Sequence, residues 1–322
     1  MSGVECFAAR TTDESLLKVS SSGGVFTELA RVVLSEGGVV FGAGWQKNPL
    51  RVVHRWTEDE SGLEDLRGSK YSVSDMSGVY APLKRFLEDG RQVLFVGTPC
   101  QTAAIRKTFG GSPNLILCAL ICMANAERSM LDLYLRELEQ ERGSRVRSIR
   151  FRDNSDGWHF SKMTITFADG KPPMSESLYR NAYFRALEIH PRRVCCACPF
   201  RSGRGGADLI IGDLWKIEQA LPAWHDWKGT NAIIVCTERG REVFDRARLR
   251  REQIEYGRIL AGNPYLERQY APNARQYRRF DRVYRRMGIR KAVRYAEGPW
   301  LYKTFFRLIR ALSRRLNLKK CV

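Results

Sequence analysis

Hydrophobic residues recur with two different periods over residues 1–245, and these periods predict strands and helices in alternation. Short apolar runs between turn residues predict buried strands at 39–43, 52–56, 92–96, 115–121 and 231–236. Apolar residues at helical spacing predict helices at 26–33, 79–87, 130–138, about 178–188 and 238–248. Two further strands, 146–152 and 162–167, are expected to pair antiparallel. This order predicts an α/β fold with a mixed β-sheet and flanking helices.

Charge divides the 322-residue chain into two parts. Residues 246–322 carry 22 Lys and Arg against 5 Asp and Glu, whereas residues 1–245 carry 32 against 30. We therefore expect a near-neutral globular domain over 1–245 and a basic, Arg-rich helical C-terminal extension over 246–322. A hydrophobic fraction of 43% is enough for a packed core and argues against global disorder.

The end of the extension has the pattern of a basic amphipathic helix. Basic residues alternate there with apolar residues at helical spacing, namely Trp300, Leu301, Phe305, Leu308, Ile309, Leu312 and Leu316. Such a helix suits peripheral contact with an anionic membrane or docking on a partner protein. A solvated helical extension fits the same pattern. Nucleic acid is not expected as a partner, because no nucleic-acid-binding module accompanies the charge.

The cysteines and the apolar runs indicate a cytoplasmic protein. Nine cysteines are spread unevenly and no secretory signal precedes them, which indicates a reducing compartment. The longest apolar run, 115–124, is shorter than the ~18 residues that cross a bilayer. We expect a cytoplasmic location, with peripheral contact at the inner face of the membrane through the basic helix.

Cysteines at three places along the chain make a candidate metal site. Cys195 and Cys198 form a CxxC pair followed by proline, a half-site that suits zinc, an iron–sulfur cluster or a redox pair. Cys100 lies in the turn after one predicted strand, and Cys122 lies at the end of the next. Ligand sites of open α/β sheets lie at the carboxyl ends of strands, so both thiols are available to one site. Cys118, inside the second strand, is expected in the core.

Two segments offer groups that bind an anionic, planar cofactor. Ser22, Gly23 and Gly24 precede a predicted helix, and free amides at a helix start bind phosphate. A well-capped surface helix explains the same three residues. Lys70 and Tyr71 add a cation and an aromatic ring beside a glycine turn, which an ordinary exposed turn explains equally well.

Six segments in this order resemble the coenzyme F420 hydrogenase/dehydrogenase beta-subunit family, whose members carry FAD and iron–sulfur clusters. They are Ser-Ser-Gly-Gly-Val-Phe (21–26), Leu-Arg-Gly-Ser-Lys-Tyr (66–71), Val-Gly-Thr-Pro-Cys-Gln (96–101), Phe-Arg-Asp (151–153), Cys-x-x-Cys-Pro-Phe (195–200) and Asp-Leu-Ile-Ile-Gly-Asp-Leu-Trp (208–215). Each is short, but six in order over roughly residues 15–245 are specific. The chain is similar to a bacterial member without the N-terminal ferredoxin module of many relatives.

The resemblance implies one 4Fe–4S cluster beside an FAD within residues 1–245. The implied cluster ligands are Cys100, Cys122, Cys195 and Cys198. Cys196 is left out because neighbouring side chains rarely point at one metal. Cys6, Cys236 and Cys321 have no matching context.

Seven residues are implied to contact the flavin, namely Ser22, Gly23, Gly24, Lys70, Tyr71, Gly97 and Thr98. The first three would face the pyrophosphate at a helix start. The lysine and the tyrosine would lie near the isoalloxazine or ribityl portion, and the last two residues would let the backbone approach it. The protein would orient the flavin and tune its potential, while the flavin carries the redox chemistry.

One residue departs from the family pattern. Many relatives have Cys-His-Gly where this chain has Cys122, Met123 and Ala124, and methionine cannot donate a proton. A different substrate or reaction, or another acid such as His159, would account for the difference. The sequence assigns no catalytic residue.

The resemblance implies an oxidoreductase that passes electrons between a carrier, either ferredoxin or a reduced deazaflavin, and a small organic substrate. A role in cell-surface polysaccharide biosynthesis is one expectation. The alternative is a non-catalytic family member that recruits a partner or a membrane, which the departure at Met123 leaves open. A zinc-stabilised binding protein is a third hypothesis, and the glycine and lysine motifs disfavour it because a structural zinc site does not need them.

Overall fold

The computed structural model describes residues 4–201, 205–226 and 228–298. Its strands are β1 (Glu5–Thr11), β2 (Val39–Lys47), β3 (Leu50–Thr57), β4 (Val93–Gly97), β5 (Leu115–Leu120), β6 (Val146–Asp153), β7 (Lys162–Phe167), β8 (Met174–Ser177), β9 (Leu209–Asp213), β10 (Asn231–Val235) and β11 (Leu249–Gln253). Its α-helices are α1 (Glu14–Val19), α2 (Val25–Ser35), α3 (Leu63–Leu66), α4 (Tyr80–Glu88), α5 (Pro99–Phe109), α6 (Arg128–Arg142), α7 (Ala182–Ile189), α8 (Arg193–Cys196), α9 (Ile217–Ala220), α10 (Glu238–Arg246), α11 (Tyr256–Gly262), α12 (Ala274–Met287) and α13 (Ile289–Glu297).

Eight strands form one mixed sheet in the order β11-β1-β10-β9-β5-β4-β2-β3. Strands β2, β4, β5 and β9 are parallel, and the outer strands pair antiparallel. Gly97 of β4 pairs with Ala119 of β5, so the turns that follow these two strands lie side by side at one edge. The predicted mixed α/β fold is confirmed, and this edge positions the candidate site.

The central strands are buried on both faces, which explains their continuous apolar sequences. All five residues of β4 are buried. Leu29 of α2 and Phe244 of α10 pack with Leu94 on one face of the sheet. Leu83 of α4 and Ile105 of α5 pack on the other face. Two helical layers therefore cover the strands whose ends lead into the candidate site.

The predicted antiparallel pair forms a second, smaller sheet. Strands β6, β7 and β8 pair in that order. With α6, α7, α12 and α13 they enclose a core rich in aromatic residues, including Tyr134, Phe151, Tyr183 and Phe280. This second core lies beside the segment that carries the CxxC pair, because α8 follows α7 directly.

The described part of the C-terminal extension contributes to both cores. β11 pairs antiparallel with β1, and α12 and α13 bury Phe280, Val283, Ile289 and Val293. The helical extension expected after residue 245 is present as α11, α12 and α13, and the strand β11 was not expected because charged residues dominate its sequence. The division into two domains at residue 245 stays a prediction. The proposed amphipathic helix at 300–316 lies outside the described residues. Every described helix is too short or too polar to cross a bilayer.

Candidate metal centre and its surroundings

Four cysteine side chains from three segments line one cavity of about 190 Å³. They are Cys100, Cys122, Cys195 and Cys198, and we call this space the thiol cavity. All four are free cysteines. Most of the remaining wall is apolar, with Val73, Ala119, Ile121, Phe200 and Leu266 among its residues.

The edge of the large sheet brings these cysteines together. The turn after β4 leads directly into α5, so Cys100 lies in the first turn of that helix. Cys122 follows β5, the strand next to β4. Cys195 belongs to α8, and Cys198 lies in the turn after it. The four cysteines that the family resemblance implies as ligands thus surround one space.

Burial raises the pKa of two of these cysteines. It raises the pKa of Cys122 to about 12, and the neighbouring cysteines add to the rise. Burial also raises the pKa of Cys195. Both groups are therefore thiols at neutral pH, and a metal must displace their protons when it binds.

The donor set fits an iron–sulfur cluster. Four cysteines are the usual ligands of a 4Fe–4S cluster, and structural zinc sites also use four. Among the described residues, no three His, Cys, Asp or Glu side chains form a group suited to a single metal ion. The four cysteines line one cavity, and their number and type match the usual ligands of a 4Fe–4S cluster.

Arg201 is a buried cation beside the thiol cavity that the sequence analysis did not identify. Its guanidinium donates to the carbonyl oxygens of Cys122 (3.0 Å), Met123 (2.7 Å) and Cys195 (3.4 Å), and also to that of Tyr265. These bonds tie the loop after β5 to α8. Arg201 is only 8% exposed, and within the described residues no carboxylate forms an ion pair with it. A buried cation without a counter-ion suits a site that holds an anionic group.

Gln269 holds the backbone of the last cysteine. Its Nε2 donates to the Cys198 carbonyl (2.8 Å), and its Oε1 accepts from the Cys198 amide (3.0 Å) and from Arg201 Nε (3.1 Å). Gln269 lies in the predicted C-terminal extension, so this part of the chain supports the site. A lone glutamine outside the six motifs carries no signal of this role in the sequence.

His54 lies buried behind the wall of the thiol cavity. Its Nε2 lies 3.1 Å from the Val96 carbonyl oxygen and its Nδ1 lies 2.7 Å from Ser74 Oγ. Because a carbonyl only accepts, Nε2 carries the proton and Nδ1 accepts from the serine. Burial lowers the pKa of His54 to about 4, so the ring is neutral at neutral pH. His54 belongs to β3, and these contacts give it a defined place in a polar network.

The same network continues to Cys100. Gln101 Nε2 donates to Ser74 Oγ (2.7 Å), and Gln101 Oε1 accepts from the Thr98 amide (2.9 Å). Thr98 Oγ1 lies 3.2 Å from Cys100 Sγ. Gly97 precedes this turn and is buried, and a Cβ there would lie 2.9 Å from the Phe95 ring. Gly97 and Thr98 therefore shape the turn that presents the first cysteine.

The other described cysteines lie apart from the wall of the thiol cavity. Cys118 is fully buried in the core beneath α2, as expected. Cys6 and Cys236 pack in the core on the opposite face of the sheet. Cys196 is half-buried, with Sγ 3.9 Å from the Arg192 carbonyl oxygen. Cys321 lies outside the described residues.

The glycine segment before α2 packs tightly against the large sheet. Ser22 donates its hydroxyl to the Thr230 carbonyl (3.1 Å). A Cβ on Gly23 would lie 2.7 Å from the Ala9 carbonyl oxygen. Gly24 has a φ of 75°, which favours glycine. All three residues have packing roles of their own, and their contact with a flavin stays a prediction.

Lys70 and Tyr71 lie in the turn after α3. Lys70 is half-buried, and its Nζ donates to three carbonyl oxygens at the end of α3 over 2.7–3.2 Å. Burial lowers the pKa of Lys70 to about 7, while the three donated hydrogen bonds use all three N–H groups of the ammonium. The Tyr71 ring packs edge-on against Phe151 and Phe184, with centroid distances of 5.5 and 5.2 Å.

Segments from three motifs meet at Ser21. Its hydroxyl accepts from the Ser69 amide (2.8 Å). Its carbonyl accepts from Asn154 Nδ2 (2.9 Å) and from Arg152 Nη2 (3.4 Å). We call these four residues the Ser21 junction. It joins the glycine segment, the Lys70 turn and the Phe-Arg-Asp motif, which are far apart in the sequence.

Arg152 is the charged centre of the Ser21 junction. It is 4% exposed, forms an ion pair with Asp213 at the carboxyl end of β9 (2.9 Å), and lies over the rings of Trp158 and Trp215. Within the described residues, Arg152 Nε and Trp158 Nε1 are buried without a hydrogen-bond partner. Buried donors of this kind suit a place where a ligand supplies acceptors.

Met123 and His159 lie in different places. Met123 lines the thiol cavity. His159 packs against Trp158 and His225, with ring centroids at 4.9 and 5.2 Å, and it is not among the residues that line the cavity. The histidine contacts Trp158, whose ring lies against Arg152 of the Ser21 junction, and it does not share the cavity that Met123 lines.

Two family models match the chain. The model for the C-terminal part of the beta subunit of coenzyme F420 hydrogenase/dehydrogenase matches residues 90–259. The model for the N-terminal part of the same subunit matches residues 6–81. Together they include the strands of the large sheet, all four cysteines of the thiol cavity and the Ser21 junction.

Two curated relatives carry the same description. The coenzyme F420 hydrogenase subunit beta of Methanothermobacter thermautotrophicus is 31% identical over 149 residues, which is 41% of this chain and 50% of the relative. The protein of that name from Methanosarcina barkeri is 34% identical over 112 residues, which is 32% of this chain and 36% of the relative. This chain thus spans half or less of the length of each relative.

A solved structure has a similar fold. A chain of the F420-reducing NiFe hydrogenase complex from Methanosarcina barkeri, determined after xenon derivatization, superposes with a TM-score of 0.53 at 19% identity. The match covers 77% of this chain and 81% of that chain. At this identity the likeness shows a shared fold.

Proposed function

Because this chain belongs to the coenzyme F420 hydrogenase/dehydrogenase beta-subunit family, we propose that it is an iron–sulfur flavoprotein oxidoreductase. The observation that carries the proposal is the thiol cavity, where four cysteines from three segments surround one space. When bound, a cluster would supply one-electron transfer and a flavin would supply two-electron or hydride transfer. The chain itself would hold, orient and insulate these groups.

We assign one 4Fe–4S cluster to the thiol cavity, with Cys100, Cys122, Cys195 and Cys198 as its ligands. Arg201 supports this assignment, because its buried positive charge offsets the negative charge of four thiolates and their cluster. Most of the cavity wall is apolar, and a low dielectric strengthens that electrostatic interaction. The Thr98 hydroxyl lies 3.2 Å from Cys100 Sγ and donates its proton to Gln101 Oε1 (3.0 Å), so a thiolate at Cys100 would compete with Gln101 for this proton.

We assign the flavin, as FAD, to the region between the Ser21 junction and the thiol cavity. Residues 69–74 connect the two, because the Ser69 amide binds Ser21 and Ser74 lines the cavity. The proposed contacts are those expected from the sequence: Ser22, Gly23, Gly24, Lys70, Tyr71, Gly97 and Thr98. Arg152 Nε and Trp158 Nε1 support this assignment further, because both are buried donors that have no hydrogen-bond partner among the described residues.

The proposed electron carrier is a ferredoxin-type protein or a reduced deazaflavin coenzyme, and the proposed substrate is a small organic molecule. The curated relatives are named for coenzyme F420, which supports the deazaflavin as one partner. A role in cell-surface polysaccharide biosynthesis finds no support in these relatives. A cytoplasmic location with peripheral membrane contact through residues 300–316 stays a proposal.

A second candidate function is that of a non-catalytic member that recruits a partner. Met123 favours it, because this residue lines the thiol cavity and cannot donate a proton. In that case the chain would keep the fold without turning over a substrate. A zinc-stabilised binding protein is the third candidate.

Anaerobic purification followed by a visible spectrum separates these functions. The oxidoreductase predicts flavin absorption bands together with a broad iron–sulfur absorption that dithionite bleaches. A colourless chain with one zinc would support the zinc protein. A chain with neither metal nor flavin would support the recruiting protein.

A further inference from the structure

Helix α12 carries a row of arginines on the side that faces away from the protein. Its buried residues Phe280, Val283 and Tyr284 lie on one side of the helix. Arginines recur at intervals of three or four residues on the opposite side, and each of them is exposed. We call this row the α12 stripe: Arg275, Arg278, Arg282, Arg285 and Arg286. Since a helix rises about 1.5 Å per residue, the stripe is about 16 Å long.

The positive charge of the α12 stripe is almost uncompensated. Within the described residues, no carboxylate forms an ion pair with any of its five arginines. Asp281 is the only acidic residue of α12. It lies on the flank of the helix, where its Oδ1 is 2.9 Å from His190 Nε2 and where it also attracts Arg193. Like charges on one helix face repel each other, so the stripe suits a partner that supplies negative charge.

Helix α13 extends this basic surface and adds an aromatic ring. Arg279 adjoins the stripe on α12, and its Cζ lies 5.2 Å from the centre of the Tyr295 ring. This contact brings the exposed side of α13 beside the stripe. Tyr295 is 40% exposed, and Lys291 and Arg294 are exposed on the same side of α13. Tyrosine, lysine and arginine together are typical of the boundary between lipid head groups and acyl chains.

The chain leaves α13 next to the α12 stripe. A Cβ on Gly298, the last residue that the structure describes, would lie 3.7 Å from Arg279 Nη1. Residues 299–322 continue from this point, and their sequence has seven Lys and Arg, no Asp or Glu, and apolar residues at helical spacing. Because like charges repel, this segment is not a suitable occupant of the stripe. One anionic surface can instead bind both.

We propose that the α12 stripe, with the exposed side of α13, binds the surface of an anionic lipid membrane. The proposal goes beyond the proposed function, and it concerns helices packed on the second core instead of the segment 300–316. Anionic head groups need only a cluster of Lys and Arg for binding. A specific protein interface also needs an apolar core, which a row of arginines does not offer. Nucleic acid fits less well, because no nucleic-acid-binding module accompanies the charge.

Charge changes within the stripe of the full chain test the proposal. The variant R275E/R282E/R286E reverses three exposed arginines, and R275K/R282K/R286K keeps their charge. Vesicles of phosphatidylcholine with and without phosphatidylserine are the probes, and co-sedimentation at low and high salt measures binding. We expect the wild type to bind only the vesicles that contain phosphatidylserine and to be released by high salt. The reversed variant should bind them about a hundredfold more weakly, whereas the lysine variant should bind like the wild type.

The matched control is K18E/K47E/K107E. It changes the net charge equally, but at three exposed and separate places on α1, at the end of β2 and on α5. We expect this control to bind within about threefold of the wild type, because charges farther than a Debye length from the membrane are largely screened. Circular dichroism should show that every variant is folded, since the changed side chains are exposed.

Equal binding of the wild type and the charge-reversed variant would overturn the stripe as the contact and would assign the binding to residues 299–322. Equal weakening in the reversed variant and the control would also overturn it, because net charge alone would then explain the binding. A wild type that ignores the vesicles but binds a DNA or RNA duplex would overturn lipid as the partner. Iron and flavin analysis tests the proposed function separately.

Discussion

The thiol cavity and the Ser21 junction differ in what their side chains already do. The four cysteines of the cavity are free and face a shared space. Around the junction, the polar side chains already have hydrogen-bond partners within the protein. The Lys70 ammonium donates to carbonyl oxygens of its own turn, and the Ser22 hydroxyl donates to the Thr230 carbonyl. A candidate metal site can therefore be recognised by its free cysteines, whereas a candidate cofactor site made of backbone amides and glycine turns cannot be recognised in this way.

This difference predicts two kinds of mutational effect. Substitutions in the thiol cavity should remove metal from a chain that still folds. Substitutions around the glycine segment should mainly lower the free energy of unfolding, because those residues pack against the sheet. The following experiments test this contrast, from the largest expected effect to the smallest.

Replacement of one cavity cysteine should abolish cluster binding. We expect Cys122→Ser to lose most of about four irons per chain, because a serine does not replace a thiolate ligand well. Cys196→Ser is the matched control, since this half-buried neighbour does not line the cavity. Iron analysis after anaerobic purification measures both. Equal iron in the two variants would show that the cavity does not hold the metal.

Removal of the buried guanidinium should destabilise the loops that carry the ligands. We expect Arg201→Gln to lower the free energy of unfolding by about 3 kcal/mol, because several buried carbonyls lose their donor. Arg192→Gln, nearby and in an exposed ion pair, should cost about 1 kcal/mol or less. Urea denaturation of the metal-free chains measures both effects. A similar loss in the two variants would contradict the role given to Arg201.

The wall behind Cys100 should be sensitive to acid through His54. The pKa of this ring is about 4 in the folded chain because of burial, against 6.5 for an exposed histidine. The unfolded chain therefore binds more protons between these values, so the stability from neutral His54 is full above pH 6.5 and is lost as the pH falls toward 4. We expect a loss of about 2 kcal/mol between pH 7 and pH 5, absent in His54→Gln.

Urea titrations at the two pH values, on wild type and variant together, measure that difference. Because other groups titrate in the same range, only the gap between the two chains reports on His54. Parallel curves would mean that the ring is already protonated or solvated, and the network from His54 to Cys100 would then need another description.

Substitutions in the glycine segment should lower the stability of the fold and should leave the metal content unchanged. We expect Gly24→Ala to cost about 1 kcal/mol or somewhat more, because φ is 75° and a Cβ would lie 2.8 Å from the Thr11 side chain. Gly37→Ala is the control, with a φ of 72° and open space around it. Thermal denaturation compares them. If a Gly24→Ala chain stayed fully folded but lost its flavin, the segment would have a role in flavin binding and not only in packing.

Much of the fold was predictable because its elements follow simple periods. The predicted strands β4 and β5 and the predicted helix α2 are confirmed. Burial on one or both faces of these elements leaves a clear hydrophobic pattern in the sequence. The strand β11 was not predicted because charged residues dominate its sequence, and α12 was predicted only as part of a basic helical extension. The apolar stripe of α12 can be recognised only when the elements that pack against it are known. It consists of Phe280, Val283 and Tyr284.

The candidate site divides in the same way. The position of Cys100 and Cys122 after neighbouring strands was predictable from the order of strands. Arg201, Gln269 and His54 were not, because their roles come from backbone carbonyls and side chains far away in the sequence. Hydrogen bonds between distant segments leave no periodic signal, so a lone arginine or glutamine reveals its role only in the folded chain.

The central claim is that the thiol cavity holds a four-iron cluster. Iron, zinc and acid-labile sulfide analysis of the anaerobically purified chain, combined with electron paramagnetic resonance before and after dithionite, tests it most directly. We predict about four irons and four sulfides per chain and a resonance that appears only on reduction. One zinc without sulfide, or a chain without metal, would contradict the account.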